Sequence, residues 1–228
     1  MNNSVAQTVE EQLVRVPAGA VTGNLTLPQD SHGIVLFAHG SGSSRHSPRN
    51  RYVARVLNEA KLATLLIDLL TPHEEVIDAR TAQLRFDIDL LAERLVDATD
   101  WLTHFPDTKD LPIGYFGAST GAAAALAAAA VRPEVVGAIV SRGGRPDLAR
   151  AALAQVRAPT LLIVGGNDGQ VIELNRAALA QLRCEKQLMI VPGATHLFEE
   201  PGALDEVARL ACDWFQRHLI AVAQAAAT

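Results

Sequence analysis

Two rhythms of apolar residues alternate along this chain. Short runs that are apolar at nearly every position lie at 34–38, 62–67, 111–116, 135–140, 160–164 and 187–191. Such runs predict strands covered on both faces. Between them the apolar positions step by three and four. Leu84, Ile88, Leu91, Leu95, Ala98 and Leu102 form the clearest stripe, with Asp87, Asp89, Glu93 and Asp97 on other faces, and predict an amphipathic helix. Val53, Val56, Leu57 and Ala60 repeat that spacing after Ser47-Pro48, a helix N-cap followed by a proline at the first helical position. Helices are also expected over the alanine run 122–130, over 171–182, and over 203–220, where Trp214 and Phe215 anchor the last one. Two further strands, 9–16 and 20–27, flank Pro17-Ala18-Gly19 as an antiparallel start. The ends, 1–8 and 221–228, are expected to fray.

Strands that alternate with helices define an α/β protein: a mostly parallel sheet of about eight strands with helices on both faces. With 228 residues, 49% of them hydrophobic, residues 1–228 are expected to form a single domain. No repeat or linker interrupts them. The alanine run is expected to lie close against the sheet, where larger side chains would hold it away.

The net charge of −5 disfavours nucleic acid as a partner. No signal-peptide pattern opens the chain, and no apolar run is long enough to span a bilayer. Cys184 and Cys212 are the only cysteines, too few for a disulfide framework. The expectation is a cytoplasmic protein without membrane contacts. No metal-ligand spacing, Walker A or G-x-G-x-x-G pattern occurs, so neither metal nor cofactor is expected.

The candidate chemistry begins at Gly117-Ala118-Ser119-Thr120-Gly121, between a predicted strand and the alanine helix. G-x-S-x-G at a strand-to-helix junction describes a nucleophile elbow, a turn so sharp that its flanking positions must lack side chains. An acid and then a histidine should follow on the loops after later strands. Asp168 follows the run at 160–164, and His196 follows the run at 187–191. Ser119 would attack, His196 would take its proton, and Asp168 would orient the ring. Each residue also has a plainer role open to it: Ser119 as a helix N-cap, Asp168 as a turn residue, His196 as a surface histidine. Only His196 and His218 follow Asp168, and His218 falls inside the last predicted helix.

With these residues in place, the chain resembles a single-domain α/β-hydrolase of the dienelactone hydrolase-like branch, over roughly 9–220. The resemblance rests on Ala38-His39-Gly40-Ser41-Gly42, Gly117–Gly121, Asp168 and His196. It implies that backbone N–H groups of Ser41 and Thr120 form the oxyanion hole. Dienelactone hydrolases proper use a cysteine nucleophile, and Ser119 stands in its place here, which favours ordinary ester chemistry. The side chain of His39 is expected to be structural.

Arg45 and Arg49 follow the Ser41 loop, and Arg142 follows the strand at 135–140. Strand ends carry the site in open α/β sheets. These three are therefore candidate substrate-binding residues for a carboxylate or phosphate, with the anion expected on the acyl group. The alternative is a solvated face, or ion pairs with Glu74, Glu75 and Asp78. Only about twenty residues separate the strands at 135–140 and 160–164, too few for a large cap domain, and this suits small or water-soluble esters. The expected function is a serine hydrolase cleaving carboxylic esters through an acyl-enzyme. A thioesterase or small peptidase with the same triad, or a non-catalytic binding protein of this fold, are the alternatives, and the oligomeric state is open.

Overall fold

The structure, a computed structural model, describes residues 10–17 and 20–226, with side chains as far as Leu219. The strands are β1 (Glu11–Val16), β2 (Val21–Thr26), β3 (Ile34–Ala38), β4 (Ala63–Ile67), β5 (Ile113–Ala118), β6 (Val136–Arg142), β7 (Thr160–Gly165) and β8 (Lys186–Val191). They form one sheet in the order β1-β2-β4-β3-β5-β6-β7-β8. β2 pairs antiparallel with both β1 and β4, and every other pairing is parallel. Every residue of β3, β4, β5 and β7 is buried, which is why their sequences read as continuous apolar runs rather than alternating ones.

Helices cover both faces. α1 (Pro48–Glu59) and α6 (Ala203–Ala226) pack on one, where Trp214 and Phe215 are buried as expected. α3 (Ile88–Leu102), α4 (Thr120–Val131), α5 (Gly169–Gln181) and a 3-10 segment, Pro146–Gln155, pack on the other. α4 lies among the sheet, α3 and the 3-10 segment. Its Ala122, Ala123, Ala124, Ala125, Ala128 and Ala129 are all fully buried, so small side chains let it approach on every side.

One helix and several element boundaries differ from the expected ones. A helix absent from the sequence reading, α2 (Pro72–Thr81), follows β4. Only Asp78 on it is buried, so it has no apolar stripe to betray it. Its start is nevertheless written in Thr71-Pro72-His73-Glu74: Thr71 Oγ1 accepts from the Glu74 N–H, and Glu74 Oε2 accepts from the Thr71 N–H at 2.7 Å, a capping box. β6 also continues to Arg142, because Ser141 and Arg142 are buried polar residues that ended the apolar run early. α6 runs on to Ala226, past its expected end. The fraying expected of 1–8 lies outside the described residues. No helix among the described residues is long and apolar enough to cross a membrane.

The sheet order places the functional end. The chain leaves β3 for β4 on one side and later returns to β5 on the other. The C-terminal ends of β3 and β5 therefore lie side by side, with Ala38 opposite Gly117, and the loops beyond them diverge. Ligands bind in such a crevice in open α/β sheets.

Candidate active site

Ser119 is the residue at that crevice, between β5 and α4. It has φ 51 and ψ −121, a left-handed conformation that costs a non-glycine residue about 1–3 kcal/mol. It occupies the N-cap position of α4, yet its side chain makes no capping hydrogen bond. That separates it from an ordinary N-cap serine. The turn is closed by glycines that no other residue could replace. A Cβ on Gly117 would fall 2.4 Å from Ala122 Cα, and one on Gly121 would fall 2.4 Å from the carbonyl oxygens of Ala38 and His39.

Asp168 and His196 come together as expected. His196 Nδ1 lies 2.7 Å from Asp168 Oδ2. The carboxylate is largely buried and the imidazole is 40% exposed. This bond fixes Nδ1 as the protonated nitrogen and leaves Nε2 as the acceptor. The loop that holds His196 is tied at two points. The Thr195 N–H donates to Glu200 Oε2 at 3.0 Å, and the buried Phe198 anchors the loop with φ 56. His196, Leu197, Ser119, Gly40 and Ser41 all line one cavity of about 240 Å³. The other acids that could orient this histidine are engaged elsewhere: Asp147 with Arg145 and Glu173 with Arg176. His218 lies in α6 against Trp214.

Ser41 and Thr120 are also brought together, in an unforeseen way. The Ser41 N–H donates to Thr120 Oγ1 at 3.0 Å, so the Thr120 hydroxyl pins the loop and occupies one expected oxyanion donor at rest. The Thr120 N–H lies in the first turn of α4, where a helix has no internal acceptor for it.

The arginines divide. Arg45 does not line the cavity. Its guanidinium is held by Asp68 through Nη1 and by Asn24 Oδ1 at 2.9 Å, and its N–H donates to Asp68 Oδ1. It ties the loop after β3 to the end of β4, so its expected contact with substrate is corrected to a structural one. Glu74 and Asp78 pair with Arg94 and Arg85 instead. Arg49 and Arg142 do line the cavity. So does Asn50, which the sequence reading missed. It is 2% exposed and accepts from Arg142 Nη2 at 3.3 Å. Its signal was its spacing: three and seven residues before Val53 and Leu57, a polar residue sits on the apolar stripe of α1.

His39 is structural, as expected. Its Nδ1 bonds the Gly40 carbonyl at 2.9 Å, and its Nε2 accepts the Leu69 N–H at 3.1 Å. Nε2 can accept only while the ring is neutral. Burial lowers its pKa below 6.5, against weaker opposing effects from Gly40 and Asp68. The unfolded chain therefore binds the proton more readily, and stability is lost as pH falls below the unfolded value. We expect urea stability to drop between about pH 7 and 5.5, and the drop to shrink in His39→Gln. His218, also lowered by burial, contributes with the same sign in both proteins. An unchanged slope in His39→Gln would contradict this role.

A crossover sheet with a serine elbow at its switch point, and an Asp–His pair on later loops, defines the α/β-hydrolase class. Within that class the chain belongs to the dienelactone hydrolase family, whose model matches residues 66–225. It is 66% identical to a crystallised dienelactone hydrolase from Anabaena variabilis ATCC 29413, with a TM-score of 0.91 over 92% of this chain and 99% of that one. It also resembles in fold an α/β serine hydrolase without lid from Xanthomonas campestris, at 19% identity, a TM-score of 0.72, and coverage of 95% and 97%. A Mycobacterium tuberculosis H37Rv protein described as a putative phosphoribosyl transferase is 62% identical over 92% of this chain. The chain spans 47% of that relative's length.

Proposed function

We propose that this chain is a serine hydrolase that cleaves carboxylic esters through an acyl-enzyme at Ser119. The observation that carries the reading is the conformation of Ser119. A strained, uncapped serine faces the same cavity as a histidine already fixed by an aspartate. Strain of this kind persists only where the surrounding structure enforces it.

His196 Nε2 takes the Ser119 proton as Oγ bonds to the carbonyl carbon. The developing oxyanion faces the start of α4 and the Ser41 loop. For the Ser41 N–H to serve it, the bond to Thr120 Oγ1 must be shared or exchanged for the oxyanion. The carbon–oxygen bond to the alcohol then breaks, and the alcohol leaves with the proton from His196. A water, deprotonated in turn by His196, releases the acid and restores Ser119 Oγ–H. Preorganised donors at the oxyanion contribute about 3–4 kcal/mol each. The site matches small substrates, since the cavity at Ser119 is about 240 Å³ and the one beyond the Gly40–Ser41 loop about 280 Å³.

A series of p-nitrophenyl esters from acetate to decanoate tests the reading. Turnover should be highest for the shortest acyl groups and fall as the chain lengthens. No turnover of any member would contradict it.

A further inference from the structure

Two arginines share the Ser119 cavity; the charge of Arg142 meets no carboxylate, and that of Arg49 meets one at the surface. Arg142 is 7% exposed, at the C-terminal end of β6. Its Nη2 donates to the neutral Asn50, and its Nε is buried without a partner. The guanidinium packs 6.0 Å from the Phe198 ring centroid. Burial, and then the neighbouring Arg49 charge, bring its pKa down to about 10. Arg49 Nη1 reaches Glu199 at 3.1 Å, but that carboxylate is 64% exposed, and Arg49 Nε is again buried and unpartnered. A buried cation beside a second cation is costly to hold. An anion between them would satisfy both, and the planar guanidinium is built to bind carboxylate or phosphate oxygens.

The position of the pair decides which part of a substrate would carry that anion. The arginines, His196 and Leu197 line the same cavity. The base that took the serine proton must return it to the departing oxygen, so the leaving group lies against His196. Beyond the Gly40–Ser41 loop, a second cavity of about 280 Å³ is bounded by Thr120 and by Leu69, Leu70, Ala79 and Leu91. Glu75, Asp78 and Arg85 also line it; Arg85 is paired with Asp78, so the exposed carboxylate of Glu75 leaves the lining net negative and would repel an acidic acyl chain. An apolar acyl group fits there.

We propose that Arg49 and Arg142 form an anion subsite on the leaving-group side of Ser119. The substrate class is then an ester of a short apolar acid with an alcohol that bears a carboxylate or phosphate. The proposal rests on the serine hydrolase reading, and it moves the anion from the acyl group, where the sequence suggested it, to the alcohol.

Matched esters test it. Propyl acetate is compared with the acetate esters of 3-hydroxypropanoate and 3-hydroxypropyl phosphate. Propyl pentanoate is compared with monopropyl succinate, which carries its anion on the acyl side. The wild type should prefer at least one anionic acetate over propyl acetate by about tenfold to a hundredfold in kcat/KM. The better of the two names the anion. Added salt should narrow the ratio. Monopropyl succinate should gain nothing over propyl pentanoate. Arg49→Gln, at a partly exposed position, should collapse the ratio between anionic and neutral acetates. Arg142→Gln should do the same where it folds. Equal rates for the three acetates, with propyl acetate still hydrolysed, would overturn the subsite alone. A preference confined to monopropyl succinate would overturn its placement. If no ester turns over and a fluorophosphonate fails to label the protein, the hydrolase reading itself falls.

Discussion

Ser119→Ala should lose ester turnover by about 10⁴-fold or more, because removal of the nucleophile leaves only binding and oxyanion stabilisation. The fold should survive. Ser119 Oγ makes no bond that α4 depends on, and alanine is no larger. The backbone conformation, φ 51 and ψ −121, stays strained with alanine and relaxes with glycine. Ser119→Gly should therefore be as inactive as Ser119→Ala but unfold at higher urea. Steady-state rates and urea midpoints on the three proteins decide the matter. If Ser119→Ala keeps turnover within tenfold of the wild type, Ser119 is not the nucleophile.

Asp168→Asn carries the second large effect, a fall in kcat of about 10⁴. The carboxylate accepts a hydrogen bond from His196 Nδ1–H at 2.7 Å. An amide presenting its NH₂ there would favour the tautomer with the proton on Nε2, which cannot receive the serine proton. KM should change little, since Asp168 does not line the cavity. A loss of only a few-fold would mean that another group orients the ring. Asp147 and Glu173, already paired with arginines, would then have to exchange partners to do so.

The fold was legible because its central strands are buried on both faces and its helices are amphipathic. β3, β5 and β7 announce themselves as apolar runs, and α3 as a stripe. α2 escaped because it packs almost nothing. Its capping residues were the only signal, and they mark a start without a face. The candidate site was legible where backbone geometry dictates residue type. Gly117 and Gly121 are required by contacts of 2.4 Å, and a sequence motif records that requirement directly. Side-chain partners are a different matter. Arg45, Arg49 and Arg142 look alike in sequence. Only packing shows that Arg45 is held by Asp68 and Asn24 while Arg142 is buried without a counter-charge. The bond from the Ser41 N–H to Thr120 Oγ1 joins positions far apart in the chain, and no local pattern encodes it.

One measurement bears most directly on the claim that Ser119 is an activated nucleophile. The wild type and Asp168→Asn are incubated with a fluorophosphonate, and the modified peptide is identified by mass. A single phosphonyl group is expected on Ser119 in the wild type, formed much more slowly in Asp168→Asn. An unmodified protein, or an adduct on any residue other than Ser119, would contradict it.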